Sequence, residues 1–236
     1  MSWKNHLCTY CNQRDSTTTG DHVPPKAFFP KGTGIELITV PCCTECNSLL
    51  SALDERVRNT WTSLENVEKH PFVRDFIQPS IRREFSRKPG KQRGLTNNWV
   101  IPDSVKTDVD LLTTDIAVKI DSEVEYFIQR MTKALILHDQ GFAPPPDSEF
   151  GYKFLDNVDK KVVLFYKHLL STRRPIEIGD QNIFVYATWI LPEKHSVYCY
   201  MNFYDALPIG SLVVLPEYMF QSVDDTFILS VDSQKV

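Results

Sequence analysis

Cys8-Thr9-Tyr10-Cys11, then Gly20-Asp21-His22-Val23-Pro24-Pro25-Lys26, then Cys42-Cys43-Thr44-Glu45-Cys46-Asn47: the reading of this chain turns on these three segments. Two Cys-x-x-Cys pairs with 31 residues between them have the spacing of a structural zinc site built from four thiolates. The two-residue gap lets each pair sit on one turn and offer both sulfurs to one tetrahedral ion. Cys42 competes with Cys43, but only Cys43 has that gap to Cys46. The alternative is a pair of disulfides or buried free thiols. The opening Met1-Ser2-Trp3-Lys4-Asn5-His6 has no apolar stretch of the secretory type, so the expected location is the cytoplasm, where thiols stay reduced. Cys199 lies in a strand-like run and reads as a core thiol.

Around these segments the composition is that of an ordinary globular protein. Of 236 residues, 42% are hydrophobic and 24% charged, which argues against disorder, collagen and coiled coil. The apolar runs, such as Leu135–Leu137 and Leu212–Leu215, fall far short of the roughly 20 residues of a membrane helix, so no membrane partner is expected. Charge is uneven. Residues 1–95 carry 14 Lys and Arg against 10 Asp and Glu, whereas residues 96–236 carry 12 against 20. The N-terminal part is therefore the part expected to meet a polyanion.

An acid beside an imidazole, between two zinc knuckles and ahead of an amide, is a specific constellation. In this it resembles the HNH endonucleases, the ββα-metal nucleases, whose pattern is Cys-x-x-Cys, Asp-His-x-x-Pro, Cys-x-x-Cys-Asn. The matching residues are Cys8 and Cys11, Asp21, His22 and Pro25, then Cys43, Cys46 and Asn47. The resemblance covers about residues 6–60. It implies an α+β protein in which an N-terminal zinc-stabilised ββα-metal HNH module is followed by an α+β accessory domain.

The resemblance also implies roles. His22 is the general base, suited by an ordinary pKa near 6.5. Asp21 and Asn47 hold a catalytic Mg²⁺ or Mn²⁺ through hard oxygen ligands. Cys8, Cys11, Cys43 and Cys46 hold structural zinc. The substrate is DNA, hydrolysed at its phosphodiester bonds, in a setting of restriction, mobile elements or antiviral defence. A regulatory protein partner or a homo-oligomer fits a gated nuclease. Two positions depart from the pattern: Ile38 stands where the family's middle Asn usually lies, and Ser51 where many members place a further His. These departures motivate the alternative, a non-catalytic zinc-ribbon nucleic-acid-binding module or a partner-dependent interaction subunit. Asp54, seven residues past Asn47, reads as a helix-surface acid.

Asp21 and His22 are neighbours on an extended segment, so their side chains should point to opposite sides unless the strand bends. From Cys46 to about Asn66, Leu49, Leu50, Leu53, Val57, Trp61 and Leu64 recur at helical steps. The HNH module is expected over residues 1–66, a basic linker over 67–95, and an α+β accessory or regulatory domain over 96–236. The linker holds Lys69, Arg74, Arg82, Arg83, Arg87, Lys88, Lys91 and Arg93, and Pro89-Gly90 and Gly94 mark it as a loop. Candidate nucleic-acid contacts are Lys26, Arg56, Arg82 and Arg83.

In the second part Ile116–Ile120 reads as a strand. Ser122 and Glu125 form a capping box ahead of a helix ending at Gly141. A second helix is expected from about Val158 to Leu170. Ile183–Leu191 and Val197–Tyr204 form a hairpin, and Ser211–Leu215 and Thr226–Val231 add strands. His6, His70, His138, His168 and His195 show no ligand spacing and read as ordinary structure.

Overall fold

Ile38, Val40 and Cys42 alternate along a β-branched run, and each turns a buried side chain inward. This strand, β2 (Ile38–Cys42), pairs antiparallel with β1 (Thr19–Val23), with Asp21 opposite Val40 and His22 opposite Thr39. The chain then enters α1 (Thr44–Trp61). The structure is a computed structural model and describes residues 6–13, 18–29, 32, 34–87, 99–100, 117–118 and 122–220. It is a mixed α and β fold.

Helix α1 starts where Cys43, still extended, accepts the Cys46 N–H on its sulfur at 3.4 Å. Its buried stripe is Leu50, Leu53, Asp54, Val57 and Trp61. Leu49, expected on that stripe, is 67% exposed, because the buried seam runs one position further round the helix. The helix stops at Trp61, short of Asn66, where the Thr62 hydroxyl takes the Arg58 carbonyl at 2.8 Å.

After the short α2 (Glu65–Glu68), a π-helical turn (Val73–Ile77) runs directly into α3 (Gln78–Arg87). The basic stretch expected as a loop is thus helical over its described part. Phe72, Val73, Ile77 and Ile81 bury one side of it, and Arg74, Arg82 and Arg83 face outward. Counting charges alone hid that apolar stripe. Pro89-Gly90, Gly94 and the expected boundary near residue 95 lie outside the described residues.

Ala117–Val118 (β4) falls within the strand expected at Ile116–Ile120 and pairs antiparallel with Trp99–Val100 (β3), a strand the sequence reading did not name. Helix α4 (Ser122–Gln140) follows, and Gly141 ends it at φ +80° with its N–H on the Leu137 carbonyl at 3.0 Å. Next come β5 (Glu149–Phe154) and α5 (Lys160–Thr172), the latter capped by Asp159 on the Lys161 N–H at 2.7 Å. Strands β6 (Ile176–Ile178), β7 (Phe184–Leu191), β8 (Ser196–Phe203) and β9 (Leu207–Val214) complete one antiparallel sheet in the order β5-β9-β8-β7-β6.

The β7–β8 hairpin forms as expected, turning at His195 in the left-handed region. Strand β9 begins four residues earlier than expected. Pro208 and Gly210 obscure it in the sequence, yet Gly210 belongs there: a Cβ would lie 2.4 Å from the buried Tyr166 ring. Thr226–Val231 lies outside the described residues.

One apolar core joins the hairpin, α1, α4 and the sheet. Phe28, just after β1, stands 5.5 Å from Phe127 of α4 and 5.3 Å from Phe203 of β8, centroid to centroid. Trp61 sits edge-on to Phe127 and Phe203 at 5.1 and 5.0 Å. The buried Tyr204 hydroxyl donates to the Phe28 carbonyl at 3.0 Å. Among the described residues, no helix is long and apolar enough to cross a membrane.

Candidate active site and metal centre

The first cysteine pair lies on a tight turn. The Asn12 N–H returns to the Cys8 carbonyl at 2.9 Å, and Asn12 takes φ +61°. Thr9 ties this turn to β2 twice, through its N–H and its hydroxyl on the Pro41 carbonyl, at 2.9 and 2.8 Å. This brings Cys8 and Cys11 against Cys43 and Cys46 at the start of α1. The four sulfurs all lie within 4.8 Å of one another. The Cys11–Cys43 separation is 3.8 Å, and sulfurs on a tetrahedral ion with bonds of about 2.3 Å would stand about 3.8 Å apart. The arrangement can hold a metal ion such as zinc. Among the described residues it is the one group of three or more Cys, His, Asp or Glu with such spacing.

The cysteines differ electrostatically. Burial is the main cause raising the Cys11 and Cys46 thiols, and neighbouring sulfurs add to it. Cys8 is brought down to about 4, chiefly by a hydrogen bond from Cys42. Cys42, the rival ligand, is raised well above an ordinary thiol, first by that bond and then by burial. It is a buried thiol beside the centre, outside the four-sulfur set.

Strand β1 stays extended through Asp21 and His22, so their side chains take opposite faces. His22 is half-buried, shares its face with Thr39 across the hairpin, and has no hydrogen-bond partner among the described residues. Burial holds its pKa below the ordinary 6.5, and Lys26 lowers it further against the pull of Asp21.

Asp21 turns inward. The Tyr10 hydroxyl donates to its Oδ2 at 2.5 Å, and Arg130 of α4 donates Nη1 to the same oxygen at 3.3 Å. The other arm of Arg130, Nη2, pairs with Asp54 Oδ1 of α1. Asp54 is therefore not the surface acid expected; it is 7% exposed and faces the guanidinium. Burial pushes its carboxyl up to about 6, against the attraction of Arg130. Burial works against the charge of Arg130, but Asp54, Tyr10 and Asp21 outweigh it, and its pKa rises.

Asn47, in the first turn of α1, points its Nδ2 to the Thr19 hydroxyl at 3.4 Å. Thr19 shares a strand face with Asp21. Asn47 and Asp21 thus lie on one side of β1 and His22 on the other. Ile38 is buried opposite Val23, and Ser51 is exposed.

These contacts bear on the divalent ion expected at Asp21 and Asn47. Asp21 Oδ2 already receives two donors, one of them a fixed buried cation. A dication on that oxygen would meet the guanidinium at close range with little solvent to screen it. The donor set as arranged does not fit a divalent ion at Asp21.

Of the candidate nucleic-acid contacts, Lys26 is exposed beside His22. Arg82 and Arg83 are exposed on α3, with Arg83 Nε on the Pro79 carbonyl at 3.2 Å. Arg56 makes a two-pronged pair with Glu123 at 2.8 and 2.7 Å. The residues missed in the sequence are Tyr10 and Arg130. Arg130 had a visible signal: it falls three residues after Phe127 and four before Ala134, inside the buried stripe of α4. No family model, curated protein or solved structure matches this chain.

Proposed function

We propose that this chain is an endonuclease of the HNH type that hydrolyses DNA phosphodiester bonds, with His22 as general base. The observation that carries the reading is the succession of hairpin and helix beside four converging sulfurs, with an imidazole that has no hydrogen-bond partner among the described residues on the strand face opposite Asp21. Zinc is the ion proposed for the cysteines: four thiolates in a closed tetrahedral set match a structural zinc site. Its part is to hold the knuckle, the hairpin and α1 together.

His22 is neutral near pH 7 because burial and Lys26 lower its pKa, and a neutral ring takes a proton from water. The hydroxide formed attacks phosphorus, the P–O3′ bond breaks, the 3′ oxygen leaves and takes a proton from solvent water, and the protonated His22 ring returns its proton to solvent. Lys26 is placed to attract the phosphate toward the base. The Mg²⁺ or Mn²⁺ of the family would supply further charge stabilisation. Asp21, held by Arg130, offers that ion no free ligand at Oδ2. A role in restriction or antiviral defence, gated by a partner, fits a nuclease whose acid is engaged in this way.

The engagement of Asp21, with Ile38 and Ser51 at pattern positions, also favours a second reading: a nucleic-acid-binding module that does not cut. Cleavage of supercoiled plasmid by zinc-checked wild type and His22→Ala, with Mg²⁺, Mn²⁺ or chelator, separates the two. Cutting by the wild type alone supports the nuclease. Equal DNA binding with no cutting by either protein supports the binding module.

A further inference from the structure

Two acids from different elements of the N-terminal region, Asp21 of β1 and Asp54 of α1, turn inward toward one point. At that point stands a guanidinium from a helix 76 residues beyond Asp54 and 109 beyond Asp21. We propose that Arg130 is the resident cation of the Asp21–Asp54 pair and keeps a divalent ion off Asp21. As an account of how hydrolysis is regulated, this rests on the nuclease reading above.

The fit is chemical as well as electrostatic. Guanidinium is a planar fork that can give one arm to each of two carboxylates; an ammonium would be a single point charge. Nη1 takes Asp21 and Nη2 takes Asp54. The Arg130 side chain is only 2% exposed, so these acids face it with almost no water between. Its Nε is buried and has no hydrogen-bond partner among the described residues, so the two acids supply the hydrogen bonds that orient the group there. The walls suit the same group. The guanidinium carbon lies 5.8 Å from the Tyr10 ring centroid and 5.3 Å from that of Phe127, within range of cation–π attraction. Tyr10 lies between the two cysteines of the first knuckle, so its hydroxyl adds a link from the metal centre to the same Asp21 oxygen.

A small divalent ion would need oxygens at about 2.1 Å in a near-octahedral set that usually includes several waters. The space here is occupied by a larger, flat organic cation between two rings. Pairing also offsets part of the cost of burying two carboxylates, a cost that falls on the fold if Arg130 is removed. Because Arg130 is carried by α4, access of a metal to Asp21 depends on the position of that helix.

The test uses the full-length, zinc-loaded chain and Mn²⁺ as probe. In the wild type, Mn²⁺ at up to about tenfold excess should leave the Tyr10 ring resonances unbroadened. An electron paramagnetic resonance titration should give the same Mn²⁺ binding for wild type and Asp21→Asn. Arg130→Met, if folded, should bind one further Mn²⁺ at least tenfold more tightly than wild type, and adding Asp21→Asn should abolish that site. Broadening of Tyr10 or Mn²⁺ binding in the wild type that Asp21→Asn removes overturns the proposal. So does a folded Arg130→Met chain that gains no site. The comparison of wild type with Asp21→Asn decides without Arg130→Met.

Plasmid nicking on the same samples separates this proposal from the nuclease reading. Nicking by Arg130→Met above the wild-type level, lost on adding His22→Ala, supports both. A gained Mn²⁺ site without nicking keeps Arg130 as resident cation and removes the nuclease.

Discussion

His22 and Asp21 are adjacent in the chain and opposite in circumstance. His22 has no partner among the described residues, and its pKa lies below 6.5 because burial and Lys26 both oppose a second positive charge. The ring is therefore neutral through the physiological range and protonates only as pH falls through that lowered pKa. Titration of the His22 ring by NMR should give a midpoint below 6.5. In Lys26→Ala the midpoint should move up, because one of the two opposing causes is gone. If the chain cuts DNA, the rate should rise with pH up to the same midpoint and then level off. Asp21, by contrast, is committed to partners. Tyr10→Phe deletes one donor to its buried carboxylate while keeping the ring beside Arg130. Arg130 still donates to that oxygen, so what is lost is one hydrogen bond to a charged acceptor; such a bond contributes about 1.5–3 kcal/mol, and chemical denaturation should show a loss of that size.

At the scale of elements, the four-cysteine cluster is a joint between the knuckle turn, which is tied to β2, and the start of α1. Cys43 serves it twice, as a sulfur of the cluster and as the residue that caps α1. Cys43→Ser separates the roles, because serine is a good helix cap but a poor metal ligand. The variant should lose its metal and unfold around the hairpin, whereas Cys42→Ser should keep one metal per chain by elemental analysis. Much of this joint was legible. The two-residue gaps named the four cysteines, the resemblance implied the hairpin, helical periodicity named the helix after it, and richness in aromatic and β-branched residues named β7 and β8. The ion pair with Arg130 was not. Periodicity marks Arg130 as lying on a buried stripe, but no local pattern says which acid meets it across 76 or 109 residues. Asp54 was misread for the same reason: a helix acid looks solvated until its long-range partner is known.

At the scale of the whole molecule, the apolar core takes no account of the composition change near residue 95. Phe28 and Trp61 from the first part interlock with Phe127 and Phe203 from the second. Phe28 is fully buried, and Phe28→Ala should cost about 3–5 kcal/mol. The loss should appear in one cooperative transition, followed in parallel by a probe of the hairpin and a probe of the five-stranded sheet. Two separate transitions would mean that the parts fold independently. The sequence pointed to two parts because charge and motif both change along the chain. Charge patterning reports the surface, however, and the shared core is made of aromatic residues that carry no such mark.

Pro41 has a consequence at the outer rim of the hairpin. Proline brings no N–H to a strand, and the Pro41 carbonyl is already taken twice by Thr9. A strand from another copy of the chain would find neither donor nor acceptor at that position. The contact that seats the cysteine turn thus also blunts an edge that would otherwise invite strand addition and aggregation.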